Sequence, residues 1–189
     1  MSIKAIVRTY TSNIRPRMKV ELDWFRRQPD LASAIERAAL AINSAEKRYS
    51  HQRRLKKAVL EQARDALLMN ITLIERCHTF DELFELLEAI VPPINGIGEL
   101  YVYDTCLRIG AKLGILPTEV YLHAGTRAGV KALGLDGTAR SLDVSALPAD
   151  LQQLEPYEIE DLLCIFKTDL EQTRLEPAKK STSQRAWCG

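Results

Sequence analysis

The chain has 189 residues, 46% of them hydrophobic, with 26 Lys and Arg against 25 Asp and Glu. That length fits one compact domain with a core of its own, and the apolar fraction excludes a chain that is disordered throughout. No run approaches the ~18 apolar residues of a membrane span, and Lys4, Arg8, Arg15, Arg17 and Lys19 interrupt the stretch where a secretory signal is apolar. Cysteines 77, 106, 164 and 188 form no CxxC pair, so neither a zinc site nor a disulfide scaffold is expected and no cofactor is implied. The expectation is a cytoplasmic chain with reduced thiols.

Charge is unevenly distributed. Residues 1–60 hold 14 Lys and Arg against 5 Asp and Glu, whereas residues 61–189 hold 12 against 20. A basic half beside an acidic half suits contact with nucleic acid. It also suits attraction within the fold, between two copies, or to an acidic protein partner.

Residues 2–12 are rich in β-branched side chains and read as a short strand or an extended basic arm reaching to Pro29. Asp30 is placed to cap a helix running to about Ile42. The longest helical candidate is Ser50–Cys77, with an apolar stripe through Leu55, Val59, Ala63, Leu67 and Leu73. Its start is densely cationic: Arg53, Arg54, Lys56 and Lys57. Thr79 followed by Glu82 has capping-box spacing and opens a helix that Pro92 and Pro93 stop. Another helix is expected from Glu99 to Leu113, closed by Gly114, and Pro117 and Thr118 are expected to open the next. Residues 135–148 read as loop. Pro156 begins a last amphipathic helix with Ile159, Leu162, Leu163, Ile165, Phe166 and Leu170 inward. Its acidic run, Glu155, Glu158, Glu160 and Asp161, reads as a solvated helix start. Residues 177–189 read as a flexible tail. The class is all-α, a single domain over residues 1–176 with about six or seven helices.

Between the helices predicted at 79–90 and 99–113 lies Ile94-Asn95-Gly96-Ile97-Gly98. Glycines permit a tight turn, Ile97 can plug the seam between the helices, and outward N–H groups near a helix start can hold a phosphate oxygen. The pattern resembles the helix-hairpin-helix motif over residues 79–113, with Ile94, Gly96, Ile97 and Gly98 at the matching places. A looser second hairpin is conceivable at 120–133, extending the region to 134. The resemblance implies a grip on duplex DNA backbone without sequence reading. Gly96, Ile97 and Gly98 would supply N–H donors, and Arg53, Arg54, Lys56, Lys57 and Arg127 would supply positive charge. Glu99 stands where such hairpins often carry Lys or Arg.

The motif also marks a distant resemblance to the helix-hairpin-helix DNA glycosylases. Leu100 occupies the place of the lysine used by some members, and Glu119 is the acid in the region of their aspartate. An enzyme reading therefore rests on Asp104 or Glu119 with His123, in a stretch that also brings Tyr101, Tyr103, Arg108 and Thr126 together. The third reading is a helical protein–protein interaction module.

Overall fold

The computed structural model describes residues 2–175 and is mostly helical; the expected tail at 177–189 lies outside them. Ten α-helices occur among the described residues: α1 (Ile3–Asn13), α2 (Arg15–Arg26), α3 (Leu31–Ala39), α4 (Lys57–Met69), α5 (Ile71–Glu75), α6 (Phe80–Ile90), α7 (Glu99–Leu113), α8 (Ala124–Ala132), α9 (Pro156–Ile165) and α10 (Lys167–Leu175). Two short strands, β1 (Val120–Tyr121) and β2 (Ser141–Leu142), pair antiparallel, with Val120 opposite Leu142. None of these helices is long and apolar enough to cross a membrane.

Two apolar clusters build the interior. The larger gathers α2 to α7 around Phe25, Ile35, Leu60, Leu67, Leu83 and Tyr103. The smaller joins α1, β1 and α8 to α10 through Ile6, Tyr10, Val120, Ile159, Leu162 and Leu163. The helix α7 is buried along most of its length.

The N-terminal segment is helical, not an extended arm. Ile6, Val7 and Tyr10 fall on one face of α1 and are buried. Burial of that stripe outweighs the modest helix penalty of β-branched residues. Asp30 caps α3 as expected, its carboxylate accepting from the Ser33 N–H at 2.7 Å. The helix ends at Ala39, short of Ile42, because the chain turns through Ala41 at φ +56° and closes a bridge between Ile42 and Arg48.

The long helix expected over 50–77 is divided. A 3-10 turn at Ser50–Gln52 precedes α4, and Asn70 separates α4 from α5 by bonding its side-chain amide to the Ala66 carbonyl. Leu60 is buried, whereas Leu73 points out. Thr79 caps α6 through the Glu82 N–H, and Glu82 reaches back to the His78 N–H. No helix follows Pro117 and Thr118. Instead β1 forms there, and His123 caps α8 with its side chain accepting from the Gly125 N–H. The looser second hairpin is therefore absent. A Cβ on Gly129 would lie 2.3 Å from the Leu163 carbonyl oxygen, so only glycine permits the observed approach of α8 to α9. The last amphipathic stretch breaks at Phe166 into α9 and α10, which turns Ile165 outward at 49% exposure.

Candidate functional site

The two apolar clusters are joined by polar groups from four segments. The helix α7 brings Asp104 and Arg108, the 3-10 turn brings His51 and Gln52, the α8 start brings His123 and Thr126, and α9 brings Glu160 and Asp161. Asp104 Oδ2 lies 2.7 Å from His51 Nε2 and accepts from Gln52 Nε2 at 2.8 Å and from Arg108 Nη2 at 3.3 Å. Arg108 also donates to Gln52 Oε1 at 3.0 Å, so Gln52 ties the acid to the base. The Arg108 guanidinium stacks 4.0 Å from the Tyr49 ring centroid. Burial works to raise the Asp104 carboxyl, but Arg108 first and His51 next hold it below the ordinary carboxylate range.

A second pair lies beside it. His123 Nδ1 accepts from the Gly125 N–H, so the ring proton sits on Nε2 and is given to Glu160 Oε1. The Thr126 hydroxyl donates to the same carboxylate oxygen at 3.1 Å. Burial raises the Glu160 carboxyl despite this histidine. Asp161 follows: burial, with Glu160 next, pushes it up to about 7.

A cleft of about 500 Å³ opens next to these pairs, bordered by His51, Arg54, Leu55, Gly98–Tyr101, His123–Gly125, Cys164 and Lys167. His51 also borders a smaller cavity of about 170 Å³ with Asp104, Arg108 and Asp161. Arg127 and His123 meet in a third, only about 40 Å³, beside the rings of Phe84, Tyr103 and Tyr121.

The expected site residues separate accordingly. Among the groups that hold the Asp104 carboxyl down, His123 comes after Arg108 and His51, and Arg127 pairs with Glu99 at 2.7 Å. Both ring nitrogens of His123 are engaged within the fold, which leaves His51 as the imidazole with a nitrogen to offer. Glu119 is elsewhere, bonded to Ser141 across the strand pair. The acidic run does not form a solvated helix start: Glu158 is 1% exposed and bound to Arg15, and Glu160 is buried.

The turn between α6 and α7 uses its glycines unequally. Gly96 has φ +98°, while Gly98 is extended and occupies the cap position of α7, with no side-chain cap. Ile97 is half-buried against the larger core, not fully buried, and its N–H is committed to the Ile94 carbonyl at 3.2 Å. It therefore supplies no donor to a ligand. A Cβ built on Gly96 would sit 4.0 Å from a Val59 methyl, so the turn rests on the first residues of α4. Arg53, Arg54, Lys56 and Lys57 are exposed just before and at the start of α4, and Arg54 borders a cleft with Gly98. Lys57 reaches Glu61 at 3.5 Å; the other three make no ion pair with the described residues. The Glu99 anion, unfavourable to a phosphate at this place, is neutralised by Arg127.

No protein-family model, curated protein or solved structure matches the chain. His51, Gln52 and Glu160 carried no sequence signal that would have joined them to Asp104 or His123.

Proposed function

We propose that the chain binds nucleic-acid backbone, duplex DNA in the first place, with little preference for sequence. The surface is formed by Arg53, Arg54, Lys56 and Lys57 together with the start of α7 at Gly98. One observation carries this reading: Arg53, Arg54 and Lys56 are exposed and lack an internal counter-ion among the described residues, and Arg54 borders the same cleft as Gly98, a helix start that has no side-chain cap. Unpaired cations repel one another, and a helix start carries partial positive charge, so the arrangement gains from an anion lying across it. Phosphates are the repeating anions that such a strip fits, and contacts to them carry no sequence information.

The test is fluorescence anisotropy with two unrelated duplexes at several salt concentrations. If four cations each displace a counter-ion, log affinity falls against log salt with a slope of roughly −3.5, at about −0.9 per phosphate. Arg53→Glu with Lys57→Glu should weaken both duplexes equally while the fold, read by circular dichroism, stays intact. Salt-independent binding, or no binding by the unaltered chain at low salt, refutes the reading.

A further inference from the structure

We infer that the cleft beside the basic strip is a hydrolytic site for a phosphodiester, in which Nδ1 of His51 accepts a proton from water and Asp104 positions the ring. This rests on the backbone-binding reading for its choice of substrate class, and on the cleft itself for its chemistry.

The geometry fixes the proton. Asp104 is tied to Arg108 and Gln52, so it is an acceptor, and it receives from Nε2 of His51 at 2.7 Å. The neutral ring then carries its lone pair on Nδ1. That nitrogen makes no hydrogen bond to a described residue, and the ring is 44% exposed where it borders the cleft. Two buried donors, Gln52 and Arg108, fix the same carboxylate oxygen that meets His51, and the half-exposed imidazole lies 5.8 Å from the Tyr49 ring centroid. This is the arrangement that holds a base in one tautomer and orientation, with the carboxylate stabilising the imidazolium that forms. The neighbouring His123 has no free nitrogen, so it frames the cleft and does not exchange protons there.

The lining selects the substrate. Arg54 and Lys167 border the cleft and make no ion pair with the described residues, while Glu99, the anion among the lining residues, is paired with Arg127. A negatively charged group is therefore favoured. Leu55, Leu100 and Tyr101 supply an apolar wall, and a volume of about 500 Å³ admits a nucleotide-sized unit.

The step balances without a redox partner. Water gives one proton to His51 Nδ1 while its oxygen forms a bond to phosphorus. The bond from phosphorus to the departing alcohol oxygen breaks, and that oxygen takes the proton back from the imidazolium. One diester and one water become one monoester and one alcohol. Asp104 stays ionised throughout, and Arg54 and Lys167 offset the charge that gathers on the phosphoryl oxygens.

The probe is bis(p-nitrophenyl) phosphate with the full chain. This diester is too small to need the strand-binding surface, so its hydrolysis reads the cleft, and anisotropy with duplex DNA separately reads the surface. Hydrolysis by the unaltered chain, falling at least 100-fold in His51→Gln, is expected from loss of a general base. Asp104→Asn should lower the rate, Asp104→Glu should restore part of it, and the His51→Gln, Asp104→Asn double variant should be no slower than His51→Gln alone. That non-additivity separates positioning through His51 from a general loss of structure. No hydrolysis by the unaltered chain, equal rates in His51→Gln, or fully additive losses overturns the proposal, whichever way the duplex titration falls.

Discussion

Replacing Asp161 with Asn should stabilise the protein at pH 8 and have little effect near pH 4. Asp161 stands on α9 next to the buried Glu160, and the Asp104 charge acts on it as well, while the nearby Tyr10 hydroxyl donates to Met18 Sδ at 3.4 Å. Burial, then Glu160, lifts its carboxyl from 3.8 to about 7. Between those values the folded chain keeps a proton that the unfolded chain has released. The sign follows from linkage: the contribution of this group is fully present below about pH 4 and is lost as pH rises towards 7. The span from 3.8 to about 7, at roughly 1.36 kcal/mol per pH unit, caps the loss at about 3–5 kcal/mol. Local relaxation and water entry make roughly 2–4 kcal/mol the expected measured value. Asn has nearly the same shape and carries no charge at any pH. The assay is urea unfolding of both proteins at steps from pH 4 to pH 8. The difference between them should grow with pH over that window. A constant difference, or a variant less stable than the original at pH 8, would refute the placement of Asp161 among uncompensated acids. Asp104 works in the opposite direction, since its lowered carboxyl adds stability that is lost as pH falls below the carboxylate range. Comparing the pair at each pH cancels that background.

Gly129→Ala should cost at least about 2–4 kcal/mol, because the new methyl meets the Leu163 backbone at 2.3 Å and neither α8 nor α9 can yield without losing its packing; a thermal scan showing an unchanged midpoint would contradict that contact. Arg15→Leu should destabilise by roughly 2–4 kcal/mol at pH 8, since Glu158 is 1% exposed and would lose its counter-ion, keeping only the Glu155 N–H at the start of α9. Denaturant unfolding checks it, and the double change Arg15→Leu with Glu158→Leu should recover part of the loss, the rest reflecting the Glu155 N–H that Glu158 accepts at 3.2 Å.

Short-range features were legible in the sequence and for a common reason: the groups that decide them are neighbours along the chain. The Asp30 cap on Ser33, the Thr79 and Glu82 cap, and the bounds of α6 and α7 follow from spacings of three or four residues. The all-α class follows likewise from apolar periodicity. What the tertiary structure decided is which local tendency prevails. The β-branched start becomes α1 because Ile6, Val7 and Tyr10 find a core to enter, and Pro117–Thr118 opens no helix because β2, some twenty residues on, pairs with Val120 and Tyr121. The candidate site belongs wholly to this second kind. His51 and Asp104 are 53 residues apart, and His123 and Glu160 are 37 apart. Their types made them visible singly, but pairing depends on where the 3-10 turn meets α7 and where the start of α8 meets α9. The acid run at 155–161 looked solvated because acids favour a helix start; instead Arg15 and His123 arrive from distant segments and pair with the buried Glu158 and Glu160. A buried charge is stabilised by partners at a few ångströms in space, and separation along the chain carries no record of that distance.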